Sequence, residues 1–231
     1  MNAVGTLILF AKYPTPGKVK TRLIPAVDAE TAALLAEAFL LDLGARLARS
    51  LDPGIQCVLC FDPPDARGAF CELLANTPTF LERFDFVAQR GEGLGQRLGN
   101  ALVDVRKNRS GPFVFIGTDA PDLPFSEIER AARRAENGAA FLTPATDGGY
   151  VLLALPDAAP DDVFENIAWS CRSTAQDQIT QLKCCGMNTE VSETIWPDVD
   201  DAADLNALEE RVNANPSIAP QTQIVFKACI L

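Results

Sequence analysis

Apolar residues along this chain follow two rhythms that alternate. Short, partly β-branched apolar runs are separated by longer stretches in which apolar positions recur at helical spacing. The runs predict strands over Thr6–Ala11 (inside the apolar run Val4–Ala11), Ile55–Phe61, Phe84–Ala88 and Phe113–Gly117. The stretches between them predict helices over Ala29–Arg49, after Pro63-Pro64, near Leu94–Arg106 and over Ser126–Glu136. Ala29–Arg49 is apolar nearly all round, which places it against the sheet and a further neighbour. Ser126 and Glu129 have the spacing of a capping box, and Asn137-Gly138 supplies a stop. A β-α-β-α order of this kind implies a parallel sheet with helices on both faces.

The rhythm changes after Gly138. Ala140–Thr143 and Tyr150–Leu155 read as short strands around Asp147-Gly148-Gly149, a hairpin or strand pair at a sheet margin. An acidic loop over Asp157–Glu165 leads to a helix about Ser173–Lys183 and a strand near Thr189–Val191. The last clear helix is Ala202–Asn213, with Asp201 as N-cap and Asp204 in its first turn. The tail Gln223–Leu231 is apolar and could be a strand, with no evident place in the sheet. No internal repeat or low-complexity linker divides the chain. The reading is a single α/β domain over residues 1–231, a three-layer α/β/α sandwich on a mainly parallel mixed sheet.

Composition narrows the chemistry. The chain has 231 residues, enough for a substantial core, and is 48% hydrophobic. Its net charge of −11 argues against general affinity for nucleic acid or an anionic membrane. The opening apolar run lacks a leading basic region and is too short for a membrane span. The absence of histidine removes the usual general base and any Ser-His-Asp scheme. The cysteine count is seven, odd, and fits reduced thiols in the cytoplasm. Cys57-x-x-Cys60 lies on a predicted strand, where the two side chains point to opposite faces, so it reads as buried thiols rather than half a zinc site.

Against that background, Val114-Phe115-Ile116-Gly117-Thr118-Asp119-Ala120-Pro121-Asp122 stands out. It puts Asp119 at the C-terminal edge of a central strand, where open α/β sheets bind ligands. The carboxylate either holds a metal or shapes the turn; with capping assigned to Ser126, the metal reading is favoured. The loop after the first strand, Lys12 to Arg22, carries four positive charges, and residues 1–27 contain no Asp or Glu. Pro14, Pro16 and Gly17 shape this loop at the same sheet edge as Asp119. A cationic loop beside a carboxylate-held Mg²⁺ or Mn²⁺ suits a diphosphate, although a solvated or partner-docking loop would look the same. Three further signals are weaker, and a metal role for Asp200 requires the chain to return to the Asp119 edge. Gln89–Leu98, including Gly95 and Arg97, is a glycine-rich helix start suited to anions or a base edge, or simply a turn. Asp147 could orient an acceptor hydroxyl, act as base or contact a sugar, or only form the turn. Asp198 and Asp200 have the spacing to share one cation at a strand end, or they favour the next helix N-terminus.

Taken together these motifs resemble the bacterial DUF2064 family of candidate glycosyltransferases, within the GT-A nucleotide-diphospho-sugar transferase superfamily. The resemblance rests on F-x-K-x-P-x-P-G-x-V-K-T-R-L from Phe10, G-T-D-x-P from Gly117, P-x-x-D-G-G-Y from Pro144 and D-x-D-x-x-x-D-L from Asp198, and reaches about Leu208. Two places depart from it: Cys171 ends a triplet that the family writes W-S-T, and Glu92 stands in a segment it writes G-D-L-G. The resemblance implies a nucleotide site along the strand ends and a divalent cation, Mg²⁺ or Mn²⁺, on Asp119 shared with Asp200. It implies Lys12, Pro16, Gly17, Lys18, Lys20, Arg22, Gly95, Arg97 and Thr118 around the nucleotide and its diphosphate. Asp119, Asp147 and Lys20 are then the catalytic candidates. The implied activity is transfer of a sugar from a nucleotide sugar to a small-molecule acceptor. The alternative is nucleotidyl transfer from an NTP with release of pyrophosphate, because the K-T-R-L run and the late D-x-D also resemble phospholactate guanylyltransferases and molybdenum-cofactor nucleotidyltransferases.

Overall fold

Buried strands and covering helices alternate as the apolar pattern requires. The computed structural model describes residues 5–230; Val4, at the head of the predicted apolar run, and Leu231, at the end of the tail, lie outside them. The strands are β1 (Gly5–Lys12), β2 (Ile55–Asp62), β3 (Phe84–Ala88), β4 (Phe113–Gly117), β5 (Ala140–Pro144), β6 (Tyr150–Leu155) and β7 (Thr189–Val191). The helices are α1 (Ala29–Ser50), α2 (Arg67–Leu73), α3 (Pro78–Arg83), α4 (Leu94–Arg106), α5 (Phe125–Glu136), α6 (Thr174–Cys184), α7 (Ala202–Ala214) and α8 (Pro220–Val225).

The strands form one sheet in the order β3-β2-β1-β4-β6-β5-β7. β1, β2, β3 and β4 are mutually parallel. β6 runs antiparallel to both β4 and β5, and β7 runs parallel to β5. Six strands therefore share one direction and β6 alone is reversed. The consequence is functional. The β5–β6 turn and the segment after β7 emerge at the same rim as the C-terminal ends of β1 and β4.

Two cores sandwich the sheet. On one face α1, α2, α3 and α5 pack Leu43, Phe70, Phe80 and Ile128 against Leu9, Leu59 and Ile116. On the other, α4 and α6 pack Leu102, Val105 and Leu182 against Ile8, Phe115 and Leu153. Cys57 belongs to the first core and Cys60 to the second, so the pair straddles the sheet as strand geometry demands. Burial pushes the Cys57 thiol up to about 11 and the Cys60 thiol up to about 12. A third cluster lies behind α1, where Phe39 and Leu35 meet Leu23, Val199, Leu208 and Phe226.

Three sequence expectations need correction. The capping box at Ser126 does not form: α5 starts at Phe125 with Pro124 as N-cap, and no side chain caps it. Pro124 sets the start of the helix and leaves Ser126 already inside the first turn. The β5–β6 hairpin is not at the margin, because β7 adds outside β5. The tail is helical rather than extended, with α8 followed by a π-helical turn over Phe226–Ile230. Asp42, buried on α1, accepts from the Gln221 and Thr222 N–H groups and the Thr222 hydroxyl, and so satisfies the free donors at the start of α8.

Candidate active site

A cavity of about 700 Å³ opens at the rim where the parallel strands end. β1 delivers the basic loop to it, β4 delivers Thr118 and Asp119, the β5–β6 turn delivers Asp147, and the chain after β7 delivers Asp198 and Asp200. The last segment is tied down at several points. Ala145 bridges to Trp196, and the Val199 N–H donates to the Asp119 carbonyl at 2.9 Å. Asp122, with its side chain 2% exposed, accepts from Arg211 Nε at 2.6 Å and from Trp196 Nε1 at 3.3 Å. Asp201 and Asp204 then close a full capping box at the start of α7, which ends the acidic segment sharply.

Lys20 is the hinge of the site. Its side chain is 6% exposed, and its ammonium donates to Asp119 Oδ1 at 2.6 Å and to the Val199 carbonyl at 2.5 Å. Asp200 Oδ1 lies 3.9 Å away. Lys20 takes a left-handed backbone conformation, φ 47°, at the head of a short 3-10 turn over Thr21–Leu23. A lysine pays steric strain there, and such strain persists where the surrounding contacts over-determine it. Arg22 donates to Asp200 Oδ2 at 2.9 Å. Lys12 and Lys18 line the cavity, exposed, without an ion pair among the described residues.

Three carboxylates crowd together beyond Lys20. Asp147, Asp198 and Asp200 each offer an oxygen within 4.8 Å of the others. Burial, then repulsion from Asp147 and Asp200, pushes Asp198 up to about 7. Asp200 is also raised, by burial first, with Lys20 and Arg22 working against the rise. Oxygen-only donors at this spacing, short of compensating positive charge, fit a hard divalent cation. Asp119, expected to share that cation with Asp200, pairs with Lys20, is half exposed on the cavity wall and lies close enough to Asp198 and Asp200 for its charge to raise both. Asp147, expected to meet the acceptor or to form the turn, joins Asp198 and Asp200 in this cluster.

The other predicted residues divide. Lys12, Lys18, Lys20, Arg22 and Thr118 line the cavity, whereas Pro16, Gly17, Gly95 and Arg97 do not. Arg97 is occupied by Asp62 at 3.1 Å, the Gly91 carbonyl at 3.1 Å and Gln89 Oε1 at 3.4 Å. It braces the glycine-rich loop. Gly95 lies under the Trp169 indole, so close that a Cβ there would sit 2.5 Å from Nε1. Cys171 lines the cavity, and hydrogen bonds from Ser173 and Thr174 hold its thiol below the ordinary range. Sequence reasoning passed over Arg172, which also lines the cavity; an isolated arginine after a tryptophan carries no motif.

Fold and rim together define a nucleotide-diphospho-sugar transferase-like α/β protein. Within that class the chain belongs to the bacterial family described as uncharacterized conserved proteins, DUF2064, whose model matches residues 46–171. It is similar over 96% of both chains, at 28% identity and a TM-score of 0.81, to a candidate nucleotide-diphospho-sugar transferase from Desulfovibrio desulfuricans G20. A 4-diphosphocytidyl-2C-methyl-D-erythritol synthase from Anaerococcus prevotii DSM 20548 shares the fold, with a TM-score of 0.60 at 10% identity over 92% of this chain and 97% of that one. So does Rv0371c from Mycobacterium tuberculosis H37Rv in a manganese complex, with a TM-score of 0.51 at 18% identity over 90% and 98% of the two chains. No curated protein matches the chain. Among the described residues, no helix is long and apolar enough to cross a membrane.

Proposed function

We propose that this protein is a metal-dependent glycosyltransferase that uses a nucleotide-diphosphate sugar as donor. One observation carries the reading: a cationic loop and three crowded carboxylates, far apart in sequence, meet at one rim around Lys20. A diphosphate is the ligand that such a pairing suits, since it bonds lysine and arginine directly and acidic side chains only through a cation. The likeness to the Desulfovibrio protein supports the same class of donor.

In this reading Lys12, Lys18 and Arg22 bind the diphosphate oxygens, and Lys20 holds a fixed position between Asp119 and Asp200. Asp147, Asp198 and Asp200 would hold Mg²⁺ or Mn²⁺. When bound there, the ion supplies Lewis-acid stabilisation of the charge that develops on the leaving diphosphate. Asp119 acts on Lys20: its carboxylate holds the ammonium in place at the cleft. Asp147, on the DGG turn at the cavity, would also contact the acceptor.

The test is product analysis with a panel of nucleotide sugars and NTPs in the presence of Mn²⁺. Release of a nucleoside diphosphate from a nucleotide sugar is expected, and Asp200→Asn should reduce it by about a hundredfold or more, the scale of losing a charge-stabilising group. Release of pyrophosphate from an NTP would replace this reading with nucleotidyl transfer.

A further inference from the structure

Arg172 stands apart from the basic loop. Its backbone is seated on the β5–β6 turn, whereas Lys12 to Arg22 follow β1, and β4 lies between β1 and β6 in the sheet. Neighbouring strands are about 4.8 Å apart, so the β1 attachment of the basic loop and the β5–β6 turn that seats Arg172 are separated by roughly two strand spacings, about 10 Å. The segment bearing Arg172 is held rigidly. Its backbone packs on Gly148, where a Cβ would fall 2.2 Å from the Arg172 carbonyl oxygen. The Ala175 N–H donates to the Gly148 carbonyl at 2.9 Å, and the Thr174 hydroxyl donates to the carbonyls of Ala168 at 2.9 Å and Cys171 at 2.8 Å. Ser170 adopts a left-handed φ of 59°.

This braced segment therefore fixes Arg172 relative to the Asp147 turn, yet Arg172 makes no ion pair with Asp147 or any other acid among the described residues. The cavity wall beside it is made of rings. Tyr150 and Trp169 lie edge to face with centroids 6.4 Å apart. The Tyr150 hydroxyl is committed to Gln178 Oε1 at 3.0 Å, so it offers the cavity its ring rather than a hydrogen bond. In that part of the cleft, beside the neutral side chains of Ser170 and Cys171, Arg172 is the cation available to orient a charged ligand.

Resting on the glycosyltransferase reading, we propose that the acceptor is an anionic molecule whose carboxylate or phosphate is bound by Arg172, with its body against Tyr150 and Trp169. The donor's diphosphate is already served from the β1 side, so a second cation fixed at the β5–β6 turn has a different anion to meet. Arginine suits either anion, because its planar fork pairs with two oxygens at once.

The test separates binding from transfer. Phenylglyoxal modification of Arg172, followed by peptide mass spectrometry of the full chain with Mn²⁺ present, is compared in glycerol 3-phosphate, glycerate and glycerol. Slower labelling of Arg172 in one or both anions, but not in glycerol, is expected, with exposed Arg67 and Arg133 unchanged as references. Protection by phosphate alone or by carboxylate alone identifies the group. Equal labelling in all three ligands, or equal protection by glycerol, overturns the proposal. Where transfer is observed, Arg172→Met should raise KM for an anionic acceptor by about ten- to a hundredfold, the loss of a charge-assisted pair, with Arg172→Lys intermediate. A KM as high in wild type for the anionic acceptor as for its neutral analogue also overturns it. Protection without any sugar transfer would leave the anion site standing and remove the glycosyltransferase reading; transfer to neutral acceptors alone would do the reverse.

Discussion

Lys20 and Asp119 are joined across the rim by a 2.6 Å ion pair, and the same ammonium donates to the backbone of the segment that carries Asp198 and Asp200. One buried side chain thus holds three separate pieces of the chain in register. Lys20→Met should remove all of these contacts, together with the ammonium's position 5.7 Å from the Phe39 ring centroid. Asp119 is half exposed and can be rehydrated, so the expected loss of stability is modest, about 1–3 kcal/mol. The loss in affinity for a nucleoside diphosphate should be larger, about tenfold or more, because an aimed cation is removed. Chemical denaturation and calorimetric titration measure the two separately.

Asp198 makes the metal-free protein sensitive to pH. Its folded-state pKa is about 7, whereas an unfolded aspartate titrates near its ordinary value of about 4. The unfolded chain therefore releases this proton first. The group's contribution to stability is complete below about pH 4, falls as pH rises towards 7 and is absent above. Asp198→Asn removes the burial of charge, so without metal the variant should melt higher than wild type at pH 8 and alike at pH 4. Because water reaches the group, the gain is on the order of 1 kcal/mol. The same variant should bind Mn²⁺ more weakly, and opposite signs for the two effects distinguish a site built for a cation from a structural acid.

The Asp122–Arg211 pair anchors the acidic segment from below. Asp122 is nearly inaccessible, and Asp122→Ala leaves Arg211 unpaired and the Trp196 indole N–H without its acceptor. A cost of about 3–5 kcal/mol is expected in urea unfolding. Mn²⁺ affinity should fall as well, since Trp196 leads directly to Asp198 and Asp200.

Gly148 and Gly17 both have positive φ, but only one is confined. Gly148, φ 95°, has no room for a Cβ against the Arg172 backbone, while Gly17, φ 74°, has nothing within 4 Å. Gly17→Ala should cost about 1 kcal/mol, the strain of a left-handed alanine. Gly148→Ala adds a backbone clash and should displace Asp147, with a lower melting temperature and weakened Mn²⁺ binding.

Much of this arrangement is legible in the sequence because local pattern and global fold agree. The continuous apolar runs at β1, β2 and β4 and the Asp147-Gly148-Gly149 turn each specify an element without outside help. The strand at Thr189–Val191 has its expected bounds although its sequence is only Thr-Glu-Val. What escapes is set by contacts distant in sequence. The reversal of β6 carries Asp147 to the rim beside Asp198 and Asp200, a meeting no spacing along the chain reveals. The tail turns helical because Asp42 accepts its first N–H groups from 179 and 180 residues away. The capping box at Ser126 misleads for the opposite reason: a local motif yields to Pro124 two residues earlier. Arg97 likewise carries a phosphate-like context, but Asp62 and Gln89 occupy it.

The central claim is that Asp147, Asp198 and Asp200 hold a divalent cation against a diphosphate gripped by the basic loop. Electron paramagnetic resonance of Mn²⁺, titrated with the protein in the presence and absence of nucleoside diphosphates, measures this without requiring turnover. The account predicts saturable Mn²⁺ binding that tightens with a nucleoside diphosphate and is lost in Asp200→Asn. Free-ion spectra with every nucleotide tried, or binding that Asp200→Asn leaves intact, would contradict it.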